Sequence, residues 1–282
     1  MQILAVAITL ATVAFAQQNS SNANLPTEDT VKAFIKQMVG YDPSIQYQVA
    51  SIKPAEAPGY AEVSVALNNG QGEQVLNFFV SPDGHWAFMG QLMDFGANPF
   101  ARYRSELQSA NGPTRGAKSA KVTIVEFADL ECPACKAALP NIEKIQTEYP
   151  DVRVIFQNFP LEKVHPWALR AALYVDCLKS NSDVAWKFID TVYAHQEEIN
   201  ETNADQSLKK YATDSGADAK IAACIADPKT KADVEASQKL GETLRVNSTP
   251  TLFVNGRKIS SFNSLPYDTF KQLVGFAAQS EK

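Results

Sequence analysis

The stretch VTIVEFADLECPAC, residues 122–135, decides how the rest of the chain is read. Val122 to Phe127 is a near-continuous apolar run, the pattern of a central strand covered on both faces. The residues after Cys135 read as helix. Two cysteines spaced by two residues therefore stand where a strand hands over to the first turn of a helix. That turn leaves backbone N–H groups without partners and carries partial positive charge. A thiolate at Cys132 is favoured there, and cysteines so placed fall from a pKa of about 8.5 into the range of roughly 3.5 to 7.5. The thiolate is the attacking species in disulfide exchange. Cys135, one turn on, is within reach to close a disulfide with Cys132 or to resolve a mixed one. Pro133 suits a first-turn position, which needs no N–H.

A C-x-x-C pair is also half of a structural zinc site, which takes two further ligands from a second such pair or from close histidines. Cys177 and Cys224 stand alone, and His85, His165 and His195 are scattered along the chain. No metal site is expected, and the pair reads as redox-active. Glu126 interrupts the apolar run shortly before Cys132. Two readings stand side by side. In a covered strand its carboxylate has a raised pKa and serves as proton acceptor or donor for the buried thiol of Cys135. At a sheet edge it is simply solvated, and the sequence does not fix which.

Toward the N-terminus, residues 1–16 read as a secretion signal. Ile3 to Phe15 is apolar apart from two threonines, and Ala14-Phe15-Ala16 supplies the small-x-small cleavage pattern. No Lys or Arg precedes the apolar core, so an uncleaved N-terminal anchor is the alternative. Export matters because disulfides persist outside the cytosol and are rare within it. The 282 residues suggest about two domains, and 45% hydrophobic content suffices for their cores; 4 cysteines are too few to staple a scaffold. A net charge of −5 and a pI near 5.3 argue against nucleic-acid binding.

Residues 17–24 form a polar linker, and residues 25–108 a small α+β domain. Thr27 caps its helix, and Val31, Phe34, Ile35 and Met38 make one apolar stripe. Alternating runs follow: Ile45, Tyr47, Val49; then Val63, Val65, Leu67; then Leu76, Phe78, Val80. Asn68-Asn69-Gly70 and Pro82-Asp83-Gly84 supply turns between them. The product is an antiparallel sheet with one helix against it, ending in a helical stretch with Phe100, Tyr103 and Leu107. His85 reads as an ordinary residue beside a turn. Residues 109–118, with Asn111-Gly112-Pro113 and Gly116, read as an inter-domain linker.

The second domain, residues 119–282, continues from the opening strand. A helix carries Leu139, Ile142, Ile145 and Tyr149, with Pro140 expected to kink it. A strand follows over Asp151 to Phe156, giving a βαβ unit of normal right-handed crossover. Helices then fill about 162–246. They start at His165-Pro166-Trp167, cover Val184 to Glu198 and Gln206 to Tyr211, and run from Asp227-Pro228 towards Leu244. Thr251 to Ile259 forms two short strands around Asn255-Gly256, the strong signal of a type I′ hairpin. A last helix carries Phe270, Leu273 and Val274.

This order of elements, with Cys132-Pro133-Ala134-Cys135 at the first helix and Thr249-Pro250-Thr251 before the hairpin, resembles the DsbA-like branch of the thioredoxin superfamily. Phe159-Pro160-Leu161 through His165-Pro166, opening the insertion, and Glu126-Phe127 with Asp129 belong to the same resemblance. It covers about residues 119–280. The fold it implies is α/β, a thioredoxin fold with a helical insertion, alongside the smaller α+β domain. The function it implies is a periplasmic or otherwise extracytoplasmic thiol-disulfide oxidoreductase. Cys132 and Cys135 are its catalytic pair, and no cofactor is needed beyond their redox-active disulfide. The resemblance further implies that Pro250 follows a cis peptide bond and faces the cysteines, while Thr249 offers backbone groups to an extended substrate. The plain alternative for Pro250 is a loop proline at a strand start.

Two departures stand out. The best-known oxidases of the branch carry Pro-His between the cysteines, where Ala134 stands here, and a less stabilised thiolate gives a less oxidising disulfide. Simple oxidases also lack the 25–108 domain, which faintly resembles the dimerisation domains of disulfide isomerases. Cys177 and Cys224 both fall in the insertion. As a structural disulfide they stabilise by roughly 4 kcal/mol on the chain-entropy estimate, and the alternative is two buried free thiols.

The expected activity is dithiol oxidation of reduced or misfolded secreted proteins, with reoxidation by a membrane or small-molecule redox partner. The same residues serve a reductase or isomerase that dimerises through the first domain. A non-enzymatic chaperone or binding module is the reading from another class, and metal trafficking by the two thiolates a weaker one.

Overall fold

The structure is a computed structural model that describes residues 25–40, 42–68, 73–90, 92, 95 and 98–280. The expected signal peptide over 1–16, the polar linker over 17–24 and the Asn69-Gly70 turn lie outside the described residues. The chain divides into two units, one up to Met93 and one from Asp94.

In the first unit Thr27 caps helix α1 (Glu28–Val39), its hydroxyl accepting the Thr30 N–H at 3.2 Å, with Glu28 and Asp29 in the positive first turn. Val31 and Ile35 are buried with Val63, Val65 and Phe78, and the Phe34 ring meets that of Phe78 at 5.4 Å. Met38, at the end of the expected stripe, is exposed. Strands β1 (Gln46–Pro54), β2 (Ala61–Asn68), β3 (Glu73–Val80) and β4 (Ala87–Met89) pair antiparallel in chain order. A bulge between Val49 and Ser51 moves the inward set of β1 from Tyr47 and Val49 to Ile52. At the Pro82-Asp83-Gly84 turn, Asp83 accepts the His85 N–H at 3.1 Å, and His85 is an exposed turn residue.

The second unit begins earlier than the sequence pattern suggests. The helical stretch expected to close the first domain forms α2 (Ala101–Glu106) and a 3-10 turn (Leu107–Ser109), and both pack into the second unit. Leu107 is buried with Val125, Phe127, Ile155 and Phe253, and Tyr103 meets Phe253 at 5.9 Å. These side chains cover the sheet face left open by the βαβ crossover. The expected linker 109–118 is not a linker either: it holds β5 (Thr114–Gly116), an edge strand antiparallel to the second strand of the crossover. A Cβ at Gly112 would stand 1.7 Å from the Phe156 carbonyl oxygen, so only glycine lets the chain lie this close to that strand.

Strand β6 (Val122–Ala128), helix α3 (Pro133–Glu148) and strand β7 (Val152–Asn158) form the parallel crossover. Helices α4 (Ala168–Leu178), α5 (Ser182–Ala194), α6 (Ala204–Ser215), α7 (Ile221–Ala226) and α8 (Pro228–Thr243) make the insertion. Asp227 caps α8 through the Lys229 N–H at 2.8 Å, with Pro228 in the first turn. Then come β8 (Thr251–Val254), β9 (Arg257–Ile259) and α9 (Tyr267–Ser280). The hairpin turn is left-handed at both Asn255 (φ 46°) and Gly256 (φ 84°), as type I′ requires.

The sheet order is β5-β7-β6-β8-β9, with β6 in the middle, parallel to β7 and antiparallel to β8. Ile124, Val154 and Leu252 on one face pack with Ile142 and Ile145 of α3, Phe188 of α5 and Phe270 of α9. Val125, Phe127, Ile155 and Phe253 on the other pack with Leu107, Phe159, Leu244 and Val246. Two buried faces explain why β6 reads as a continuous apolar run.

Cys177 and Cys224 form a disulfide that joins α4 to α7. Helix α7 contributes no fully buried residue and packs only Ile221 and Ile225 against the core, so the disulfide adds a covalent tie to a thin contact. Replacing both cysteines by alanine is expected to lower the unfolding free energy by about 4 kcal/mol on the chain-entropy estimate. Guanidinium denaturation of the double variant checks this, and an unchanged midpoint would contradict it.

Candidate functional site

The site forms where β6 ends and α3 begins. Cys132 is the N-cap of α3 in extended backbone, and Pro133 follows inside the first turn. The Cys132 N–H donates to Asp129 O at 3.1 Å, and Cys132 O accepts the N–H of Cys135 at 3.1 Å and of Lys136 at 3.3 Å. Both cysteines are free thiols; Cys132 is 6% exposed and Cys135 is fully buried. On the other side lies the loop before β8, with a cis Thr249–Pro250 peptide bond. The Cys132 sulfur stands 3.5 Å from the Thr249 carbonyl oxygen. The structure thus brings Cys132 and sequence-distant Thr249 together, with Cys135 one turn along α3 and Pro250 next to Thr249.

The Cys132 thiol falls from about 9 to about 5. Its largest cause is the hydrogen bond from the Cys135 thiol; burial opposes it, and Thr249 and the N–H groups of Cys135 and Ala134 add to it. The helix dipole is worth typically 0.3–1 kcal/mol, less than the roughly 1.4 kcal/mol of a single pKa unit. Direct donors aimed at the sulfur therefore outweigh the dipole from which the sequence reading starts. Ala134 takes part through its backbone N–H alone. Burial, followed by its donation to the Cys132 sulfur, pushes the Cys135 thiol well above its usual range.

Glu126 lies inside, not at a sheet edge. It pairs with Phe156 of β7 and Leu252 of β8 and shares its face with Ile124 and Ala128, in the core beneath α3. It is buried, and burial raises its carboxyl to about 8, with the Cys132 thiolate adding to the rise and Arg115 opposing it. At neutral pH the site therefore holds a thiolate, a thiol and a mostly protonated acid.

The approach to Cys132 is fixed by side chains the sequence flags only in part. Asp129 is buried; its Oδ1 accepts the Glu131 N–H at 2.8 Å, and its Oδ2 accepts the Leu161 N–H at 2.8 Å and contacts His165 Nδ1 at 2.7 Å. Glu131 accepts the Trp167 N–H at 2.6 Å, and burial raises its carboxyl. These contacts show what Phe159-Pro160-Leu161 and His165-Pro166 do: they tie the start of the insertion to the loop before Cys132. Gln196, which carries no sequence signal, reaches the same loop from the end of α5. Among the described residues no group of three or more His, Cys, Asp or Glu side chains is placed to hold a metal ion.

The profile of a family described as Thioredoxin matches residues 108–275. Among curated relatives, the Na(+)/H(+) antiporter NhaA 3 of Salinispora tropica is 32% identical over 145 residues, covering 51% of this chain and 22% of the relative. The antiporter NhaA 1 of Salinispora arenicola is 32% identical over 151 residues, with the same shares. The chain thus spans about a fifth of the length of these relatives, and among the described residues no helix is long and apolar enough to cross a membrane. Among solved structures, oxidised BdbD from Bacillus subtilis matches at a TM-score of 0.53 and 25% identity, over 60% of this chain and 94% of that one. The thiol-disulfide exchange protein alpha-DsbA2 from Wolbachia pipientis matches at 0.53 and 20%, over 62% and 92%. The catalytic domain of Proteus mirabilis ScsC matches at 0.51 and 21%, over 62% and 98%. The last two share the fold.

The raised carboxyl of Glu126 gives a signed expectation. A carboxyl with a raised folded pKa contributes stability that is present below its unfolded value near 4.5 and is lost as pH rises through about 8. In oxidised protein, where neither cysteine of the pair titrates, Glu126→Gln should match the wild type at pH 4 and be the more stable of the two at pH 9. Chemical denaturation at both pH values reads this, and equal stability at pH 9 would show that Glu126 is solvated.

Proposed function

The chain belongs to the thioredoxin family over residues 108–275, and on that premise we propose that it is an extracytoplasmic thiol-disulfide oxidoreductase acting on protein substrates through Cys132 and Cys135. The carrying observation is the Cys132 sulfur at the start of α3, one turn from Cys135 and 3.5 Å from the Thr249 carbonyl beside a cis proline. The reading of residues 1–16 as a secretion signal supports an extracytoplasmic setting, where such disulfides persist.

The cycle starts from a Cys132–Cys135 disulfide. A substrate thiolate attacks the Cys132 sulfur; the bond between the two enzyme sulfurs breaks, and Cys135 leaves with the electron pair. Its thiolate is costly in its buried place and takes a proton, for which Glu126 is the nearby protonated acid. A second substrate thiolate then attacks the substrate sulfur of the mixed disulfide. Cys132 departs as the thiolate that its donors stabilise, the substrate is oxidised by two electrons, and the enzyme is a dithiol. An extended substrate pairs with the backbone at Thr249 and Pro250, which sets its sulfur over Cys132. Reoxidation by a membrane or small-molecule oxidant closes the cycle.

Stabilisation of the Cys132 thiolate favours the reduced enzyme and so makes the disulfide a good oxidant, which supports the oxidase direction. The opposite direction, an isomerase or reductase with the first unit as dimerisation module, draws support from Trp86, Phe88 and Met89, apolar residues exposed around β4.

Cys132→Ala should abolish disulfide transfer to a reduced peptide, and Cys135→Ala should accumulate mixed disulfides visible on non-reducing gels. Transfer retained without Cys132 would refute the assignment. A reduction potential for the pair as low as that of a thioredoxin would reverse the proposed direction.

A further inference from the structure

The active-site loop is fastened from a direction that the exchange cycle does not use. Three of its backbone carbonyls, those of Asp129, Leu130 and Cys132, point at the end of α5 and the 3-10 turn that follows it (Gln196–Glu198). The Tyr193 hydroxyl donates to Asp129 O at 3.4 Å. The Gln196 amide donates through Nε2 to Leu130 O at 2.8 Å and to Cys132 O at 3.1 Å. Gln196 is 6% exposed although it sits in a surface turn, because its side chain turns inward to this loop. Next to it, Glu197 pairs with Lys136 in the first turn of α3 at 2.9 Å.

We infer that Gln196 is a positioning residue for the Cys132 nucleophile, holding the carbonyls of Leu130 and Cys132 so that the first N–H groups of α3 stay aimed at the sulfur. The inference rests on the reading of Cys132 as that nucleophile. The Cys132 carbonyl takes the Cys135 and Lys136 N–H groups on its helical side and Gln196 on the other. The peptide between Cys132 and Pro133 is thus clamped from both sides, and Pro133 has no N–H to add. Without the amide, two peptide dipoles lose a donor in a desolvated place beside the sulfur. Their partial negative charge then opposes a thiolate, and the loop is free to turn away from α3. The insertion, not the thioredoxin core, supplies this contact.

The test uses the full reduced chain with Gln196→Met, which keeps the length and loses the donor, and Gln196→Glu, which keeps the shape and replaces the donor by a carboxyl. Gln157→Met serves as the control, since Gln157 of β7 is another buried amide and donates to Ser237 of α8. The readouts are the pH profile of Cys132 alkylation by iodoacetamide and the equilibrium with glutathione at pH 7. Both Gln196 variants should raise the midpoint of the alkylation profile by about one pH unit, and shift the glutathione equilibrium about tenfold toward the enzyme disulfide. Gln157→Met should lower the melting temperature without moving either. A purely structural Gln196 would behave like Gln157, and wild-type profiles in both Gln196 variants overturn the inference. A wild-type protein whose Cys132 alkylates like a free thiol overturns the functional reading itself, and the inference with it.

Discussion

The hydrogen bond from the Cys135 thiol to the Cys132 sulfur is the interaction on which the rest of the site depends. It is the largest cause of the low pKa of Cys132, and it exists because one turn of α3 separates the two residues. Burial works against the thiolate, so the site is a contest between desolvation and donors, and the donors win. The same bond assigns unlike roles to two identical side chains. Cys132 is the stable thiolate, and Cys135, fully buried, is the thiol whose ionisation is suppressed.

The scaffold serves that bond from three sides. Strand β6, covered on both faces, delivers Cys132 to the end of the sheet and carries Glu126 on the face beneath α3. The loop before β8 closes a second side, where the un-ionised Cys132 thiol donates to the Thr249 carbonyl. The insertion closes the third side, through His165 against Asp129 at its beginning and through Tyr193 and Gln196 at the end of α5. A polar side chain as buried as Asp129 is costly unless its oxygens are satisfied, and here backbone N–H groups and His165 satisfy them. These helices thus do more than decorate a thioredoxin core.

What was legible in the sequence was local. Cys132, Pro133 and Cys135 lie within one turn, and Asn255-Gly256 needs only its own backbone to specify a hairpin. Long apolar runs such as β6 announce burial on both faces. What was not legible depended on partners far along the chain. Glu126 faces the core because β6 lies between β7 and β8, a fact of pairing that no single strand encodes. The boundary between units was displaced because Tyr103 and Leu107 are apolar in a helix that either unit could cover, and because a three-residue edge strand, β5, has no periodicity to read. Gln196 was invisible for a related reason: a glutamine at a helix end resembles any solvated residue until the carbonyls it meets are in place.

The central claim is that donors at the start of α3 hold Cys132 as a thiolate at neutral pH. Titration of the reduced protein by its thiolate absorbance near 240 nm, with Cys132→Ala as the blank, tests it most directly. A midpoint near 5 that vanishes in the blank is the expected result. A midpoint near the free-cysteine value of about 8.5 would contradict the account.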